Sequence, residues 1–496
     1  MGIRPAGSWV RPLIALAVFA TVSCTNPRDN RAVRVDVIGE TEQLVEPLRH
    51  SGTTAGQLML GATAQGLLSL NARGDIIGAL AESWIVEDGG QSYIFRLKRL
   101  TWPDGELVRA EQVARLLRER MRANPLLLAG FTPDVRAMTE RVIEIRLDVT
   151  LPAFLQLLAQ PELAVIARTG NGTGPYQVEA KSDGGPILLA PAASSTDLPP
   201  ESEAEDEEAA RIERREIRAD RASLALVRFR AGHTDLVLGG RFQHLPLIPA
   251  VGLTMAEVQV DPVEGLFGLA ITGSAAFLQD VPVRDALSRL VDRTRLAEAL
   301  GLPGWRTATY PLPASYELGR LPSAPAWSGR SREDRIESAR RIVERWREDN
   351  GETPILRIAL PDGAGASKLF LRLVQDFGQA GLRLDRVAMD EAADLRLIDE
   401  VAPFDSAFWY LARLDCDAGL LCDPRVAVRL AEARKAQDEL ERANLLAEAE
   451  EATVAFAAFI PLGRPIRWSI VGRRLTNFQP SSRGIHPLNA LITVPN

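Results

Sequence analysis

The sequence predicts an α/β fold shared between at least two domains, and three observations point there. The chain has 496 residues, more than one hydrophobic core usually serves. Residues 74–118 read as strand, turn, strand, turn, helix. Residues 356–384 read as strand, helix, strand. In the first unit Trp84 and Val86 lie two apart, the period of a strand. Asp88-Gly89-Gly90 is a turn signal, because glycine takes positive φ without steric cost. Tyr93, Phe95 and Leu97 again alternate with polar residues, so the two runs predict a hairpin. Pro103-Asp104-Gly105 turns the chain once more, and Trp102 beside it reads as core. A helix follows over 108–121, with Val113, Leu116, Leu117 and Met121 at helical spacing.

The N-terminus reads as an export signal. Arg4 and Arg11 precede an apolar run at 12–22, too short for a membrane-spanning helix of about 20 residues. The run ends in Thr21-Val22-Ser23-Cys24, which resembles a bacterial lipobox, with the Cys24 thiol as the site of lipidation. Thr21 stands where leucine is usual, and ordinary cleavage after Ala20 is the alternative. Elsewhere the sequence shows no run long and apolar enough to span a bilayer. The mature chain is expected in the periplasm or cell envelope, tethered by Cys24.

Cysteine usage fits that compartment. Besides Cys24 there are Cys416 and Cys422. An oxidising compartment favours their pairing; two free thiols and a metal pair are the alternatives. A loop so short gains only about 2 kcal/mol from closure on the chain-entropy estimate. The formal net charge of −7, without a long basic patch, gives nucleic-acid binding no support.

Residues 74–118 also carry a resemblance. Gly74, Ala79-Leu80-Ala81-Glu82-Ser83-Trp84, Phe95-Arg96-Leu97-Lys98, Trp102-Pro103-Asp104-Gly105 and Ala110-Glu111-Gln112-Val113 follow the signature of the extracellular solute-binding proteins of family 5, the dipeptide, oligopeptide and nickel binders of ABC transporters. The resemblance recurs in order. Gly172-Thr173-Gly174-Pro175-Tyr176 is similar to a turn of that family, and the Pro-Tyr-Gln-Val that follows rules out a phosphate loop. Residues 212–238 resemble its strand–helix–strand unit, and 281–293 resemble the helix opening its second lobe, with Pro282 in the first turn. Gly381-Leu382-Arg383-Leu384 resembles a further strand of that family, and Ile460-Pro461-Leu462, after 448–459, is similar to one of its later segments. The acidic tract at 201–208 reads as a solvated loop.

The resemblance implies a two-lobe periplasmic-binding-protein fold with an additional subdomain inserted in the first lobe. The implied division is a signal peptide over 1–23, lobe I over 24–62 and 167–268, the inserted subdomain over 63–166, lobe II over 269–470, and a return to lobe I over 471–496. The crossings between lobes are expected near 265–271 and after Arg467.

The resemblance also implies a function: capture of a peptide or similar small solute between the lobes and delivery to ABC permease subunits, by a monomer needing no cofactor. Peptide-binding members place a tryptophan wall and an aspartate in a second-lobe segment, the aspartate pairing with the peptide ammonium. A buried cation needs such a partner because desolvation otherwise costs too much. Here the segment is 404–415. Ungapped, Leu411 and Leu414 take those two positions, with Trp409 two residues early and Asp415 one late. Trp409, Tyr410, Arg413 and Asp415 are therefore the candidate contacts, Arg413 favouring an acidic ligand group. The alternative is that Phe408, Trp409 and Tyr410 belong to a strand core. Gln65, in Gln65-Gly66-Leu67, is a first-lobe candidate. The four histidines, at 50, 233, 244 and 486, show no metal-ligand spacing. No G-x-S-x-G or H-E-x-x-H motif occurs, and 363–368 reads as a helix start, so an enzyme is not expected. The competing reading is an envelope lipoprotein that kept the fold for sensing or interaction and lost transport.

Overall fold

Val33, Val35 and Val37 alternate along strand Val33–Ile38 and are fully buried. That strand is the middle of a seven-stranded sheet. Its parallel neighbours are Arg215–Asp220 and Leu236–Gly240. Antiparallel strands Ile187–Pro191 and Tyr176–Lys181 extend one side, and Trp468–Val471 and Val258–Val260 the other. In this computed structural model residues 1–2, 32–167, 170, 172–182, 184–192, 214–272, 275–313 and 316–493 are described. Cys24 and the acidic tract at 201–208 lie outside them.

A second sheet has five strands in the order Arg383–Val387, Ile355–Ala359, Leu395–Val401, Gly265–Ile271, Phe459–Gly463. Every residue of Gly265–Ile271 is buried, as a strand covered on both faces requires. The expected strand–helix–strand unit is present as Ile355–Ala359, Ala364–Gly378 and Arg383–Val387. The two sheets make two lobes. The chain changes sheet at 261–264 and again at 464–467, so the divisions expected at 268 and 470 fall inside strands Gly265–Ile271 and Trp468–Val471. Sheet membership ends where ladder hydrogen bonds end, which hydrophobicity alone does not mark. The crossings lie side by side, with the Asp261 amide donating to the Arg467 carbonyl at 2.9 Å.

A four-stranded antiparallel sheet, Ala81–Glu87, Ser92–Leu97, Val142–Arg146 and Asp134–Thr139, carries helix Ala110–Ala123. The expected hairpin is its first pair, turning through Gly89 and Gly90 at φ 62° and 93°. The helix begins two residues later than expected and buries Val113, Leu116, Leu117 and Met121. Trp102 is core: it is 1% exposed, and its Nε1 donates to Gln112 Oε1 at 2.7 Å. Gly172 and Gly174 pass so close to the 62–64 backbone that a Cβ on either would lie within 2.6 Å of it. Close packing, not phosphate binding, requires those glycines.

The aromatic run at 408–410 is helical, not a strand. Helix Ala407–Arg413 is capped by Ser406 and packs on helices Pro424–Ala433 and Glu439–Phe456. Beyond it Cys416 and Cys422 are joined, with Cα atoms 5.1 Å apart. No helix among the described residues is long and apolar enough to cross a membrane.

Candidate ligand cleft

The lobes touch directly. Gln156 and Asp405 exchange two hydrogen bonds, at 2.8 and 3.1 Å, from opposite sides. Gln160 donates to the Pro403 carbonyl at 2.7 Å, and Gln91 to Gln437 at 2.7 Å. Phe131 meets Phe408 edge to face at 5.0 Å. Arg483, from the returning chain, pairs with Asp405 at 2.6 Å and donates to the Ala402 carbonyl at 3.1 Å. Burial, the largest single influence, would raise the Asp405 pKa; the bond to and charge of Arg483, with the bonds from Tyr316 and Gln156, together outweigh it and hold the carboxyl below the usual aspartate range.

Beside these contacts lies a partly open cavity of about 510 Å³. Lobe I supplies Thr54 and Gln57 from the start of helix Thr54–Thr63, and Arg241 just past strand Leu236–Gly240. The inserted part supplies 124–127, Gln160 and Glu162; lobe II supplies 399–403, Trp409 and Arg413; Arg467 comes from the second crossing. The carboxyl ends of parallel strands are where α/β sheets place ligands. Thr54, Gln57, Gln160, Gly484 and Ile485 also border a second chamber of about 330 Å³ in lobe I.

The cavity wall is charged but largely self-neutralised. Arg413 forks onto Glu400 at 2.7 and 2.5 Å, which raises the Arg413 pKa. Arg467 binds the Asp399 carboxylate at 2.8 Å and its carbonyl at 2.9 Å. Glu162 accepts from Gln57 at 2.7 Å, and burial raises its pKa. Arg241 is different. Its nearest acid is Asp399 at 3.9 Å, and among the described residues its guanidinium makes no hydrogen bond. The positive charge of Arg467 and burial both lower its pKa, so this cation sits in an unfavourable field.

Trp409 and Arg413 both line the cavity, four residues apart on one face of their helix. Tyr410 faces away, fully buried, with Tyr316 and Trp409 around it at ring distances of 5.5 and 4.9 Å. Asp415 lies past the helix end and is absent from the cavity wall; its carboxylate accepts from the Cys416 amide at 2.5 Å as the cap of the next turn. Gln65 lines the second chamber instead of the first. Arg241, Asp399, Glu400, Glu162, Arg467 and Arg483 were not among the sequence candidates. Asp399-Glu400, two adjacent acids at the half-buried end of strand Leu395–Val401, was the one local signal. Away from the cleft, Glu42, Glu46 and His50 bring ligand atoms within 4.8 Å of one another, a grouping the sequence spacing did not suggest. Glu46 is already paired there with Arg49 at 2.9 Å.

Residues 75–412 match the bacterial extracellular solute-binding proteins of family 5. The chain belongs to this family. Its members are solute-binding proteins that work outside the cytoplasm. Among solved structures it is similar to Haemophilus influenzae OppA in complex with the peptide RPPGFSPFR: TM-score 0.78, 17% identity, 94% of this chain and 100% of that one covered. The Escherichia coli murein tripeptide binding protein MppA gives 0.77 at 17% identity, covering 95% of this chain and 100% of that one. Its unliganded open form gives 0.63 at 17% identity, covering 94% of this chain and 98% of that one. At such identities the likeness is one of fold. A curated relative, the probable deoxycholate-binding periplasmic protein YgiS of Escherichia coli, is 28% identical in an alignment 154 positions long that covers 26% of this chain and 29% of that protein.

Proposed function

We propose that this protein is the substrate-binding component of an ABC transporter: a monomeric lipoprotein that closes on a peptide or a solute of similar size and hands it to a membrane permease. The observation that carries this is the 510 Å³ cavity walled by both lobes beside two adjacent crossings. A ligand that contacts both walls favours the closed form over the open one, and closure is the signal a permease can read. Trp409 shows that ligand an apolar edge, Arg413 with Glu400 fixes the wall, and Gln65 reaches ligand parts in the second chamber. The division at 261–264 and 464–467 makes the crossings the hinge. Cys24 holds the protein at the membrane, and the Cys416–Cys422 bridge suits the same compartment. The fold serves binding and not catalysis.

The similar proteins differ in what their names say they bind: peptides for OppA and MppA, deoxycholate for YgiS. Native mass spectrometry of gently purified protein tests the reading. A bound small molecule released by mild denaturant is expected, and its return should compact the protein in small-angle scattering. Protein that carries no small molecule and does not change dimensions with any extract of the growth medium would leave the non-transporting envelope role in its place.

A further inference from the structure

We infer that the ligand is a monoanionic amphipath, with its acid group on Arg241 and its apolar body in the lobe I chamber, and not a zwitterionic peptide. The inference rests on the binding-protein reading and specifies its ligand.

Charge balance in the wall comes first. Arg467 is matched by Asp399, Arg413 by Glu400 and Arg483 by Asp405, at 2.8, 2.5 and 2.6 Å. Glu162 has Arg120 as its electrostatic counterpart. Arg241 is left as the surplus cation, one-third exposed and 3.9 Å from an acid that Arg467 already holds. A cation so placed is stabilised by one ligand anion, and a guanidinium suits a carboxylate fork. An ammonium group finds no equivalent. Asp399 and Glu400 are taken by arginines, and Asp415, the acid the family pattern would offer, is turned into a cap. Glu162 keeps one oxygen without a hydrogen-bond partner among the described residues, but that oxygen is sealed from the cavity.

The adjoining chamber supplies the other half of the ligand. It is lined by Leu58, Leu68, Leu70, Ile77, Leu238 and Ile485. Of these Ile77 is 43% exposed, apolar surface left open for a ligand to cover. The chamber shares five wall residues with the charged cavity, so the two adjoin, and the proposed ligand spans them where the Gln57 and Gln160 side chains give way.

Four probes test this by calorimetry: deoxycholate, its methyl ester, N-acetyl-Leu-Leu and free Leu-Leu. The two monoanions should bind, and the ester and the zwitterion should bind about tenfold more weakly or worse. Preference for deoxycholate marks a lipid-like body, and preference for the acetylated dipeptide a capped peptide; either order supports the inference. Arg241→Gln should lower the affinity for both anions about tenfold and leave the ester unchanged, and Arg241→Lys should restore part of the loss. Free Leu-Leu binding more tightly than its acetylated form overturns the inference and leaves the binding protein standing. So does unchanged anion affinity in an Arg241→Gln variant with native circular dichroism. If no probe binds and no small molecule co-purifies, the inference falls together with the binding reading.

Discussion

Asp36 shows how one residue's environment departs from its place in a pattern. It sits at a polar position of the alternating strand Val33–Ile38, yet is 2% exposed. Burial raises its pKa to about 6, although the Thr234 hydroxyl and Arg228 favour the ionised form. Between pH 4 and 6 the native state therefore holds a proton that the unfolded chain has released, and stability falls as pH rises through that window. Asp36→Asn should stabilise the protein by on the order of 2–3 kcal/mol at pH 7.5. The gain should vanish near pH 4, as read from urea midpoints at the two pH values. Trp409 is 4% exposed and shows the cavity only an edge, so Trp409→Ala should weaken ligand binding mainly by loosening the wall that carries Arg413, by about 1 kcal/mol or less. Calorimetry with the co-purified ligand checks it, and an unchanged affinity would remove Trp409 from the site. That the sequence pointed to Trp409 and Arg413, which line this cavity, and not to Arg241, which lines it too, follows from their settings. The first two stand in a segment with a family pattern; Arg241 is one arginine among many until the fold shows it short of a partner.

At the scale of elements, helices carry charges whose purpose is invisible locally. Asp376, in helix Ala364–Gly378, has no exposed surface. It accepts from Arg372 at 2.7 Å, from Arg332 of helix Arg332–Asn350 at 3.2 Å, and from the Asp292 amide at 3.0 Å. Asp376→Ala strands these donors and should cost about 3–5 kcal/mol, because removing one member leaves the others buried and unpaired. Differential scanning calorimetry should show a lower Tm, and near-wild-type melting would mean the donors find other partners. The Cys416–Cys422 loop follows helix Ala407–Arg413 directly. Native protein from the cell envelope should yield no alkylatable thiols there, and Cys416→Ser with Cys422→Ser should lose about 2 kcal/mol. Two freely modified cysteines in wild-type protein would count against the bridge. The sequence pattern located this segment but left its conformation open, since a short aromatic run fits a strand or a buried helix equally.

At the scale of the whole molecule, Asp405 ties three parts of the chain together. It is clasped by Arg483, Gln156 and Tyr316, from the returning chain, the inserted part and lobe II respectively. Because the closed form holds its pKa below the usual value, the contact is present at neutral pH and is lost as pH falls through that depressed value. Asp405→Asn should shift the ligand-free protein toward a larger radius of gyration at pH 7, with a smaller difference from wild type in acid. Scattering profiles that superimpose at both pH values would show that closure rests elsewhere. Attachment to the membrane is tested separately: a fatty-acid analogue should label the wild-type protein and not Cys24→Ser.

The sequence by itself determined what short-range chemistry encodes: an α/β chain, a glycine-turned hairpin, a helix with one apolar face, and a family signature running in order. Each depends on residues a few positions apart, where periodicity and turn stereochemistry act. Only the tertiary structure decided the cleft. Its charged wall joins Glu162, Arg241, Asp399, Arg413, Arg467 and Arg483, from segments hundreds of residues apart in the chain. Whether a given arginine is spent on a carboxylate or left for a ligand is set by distances of 2.5 to 3.9 Å through space. Coulomb interactions and hydrogen bonds depend on those distances, and sequence separation does not report them.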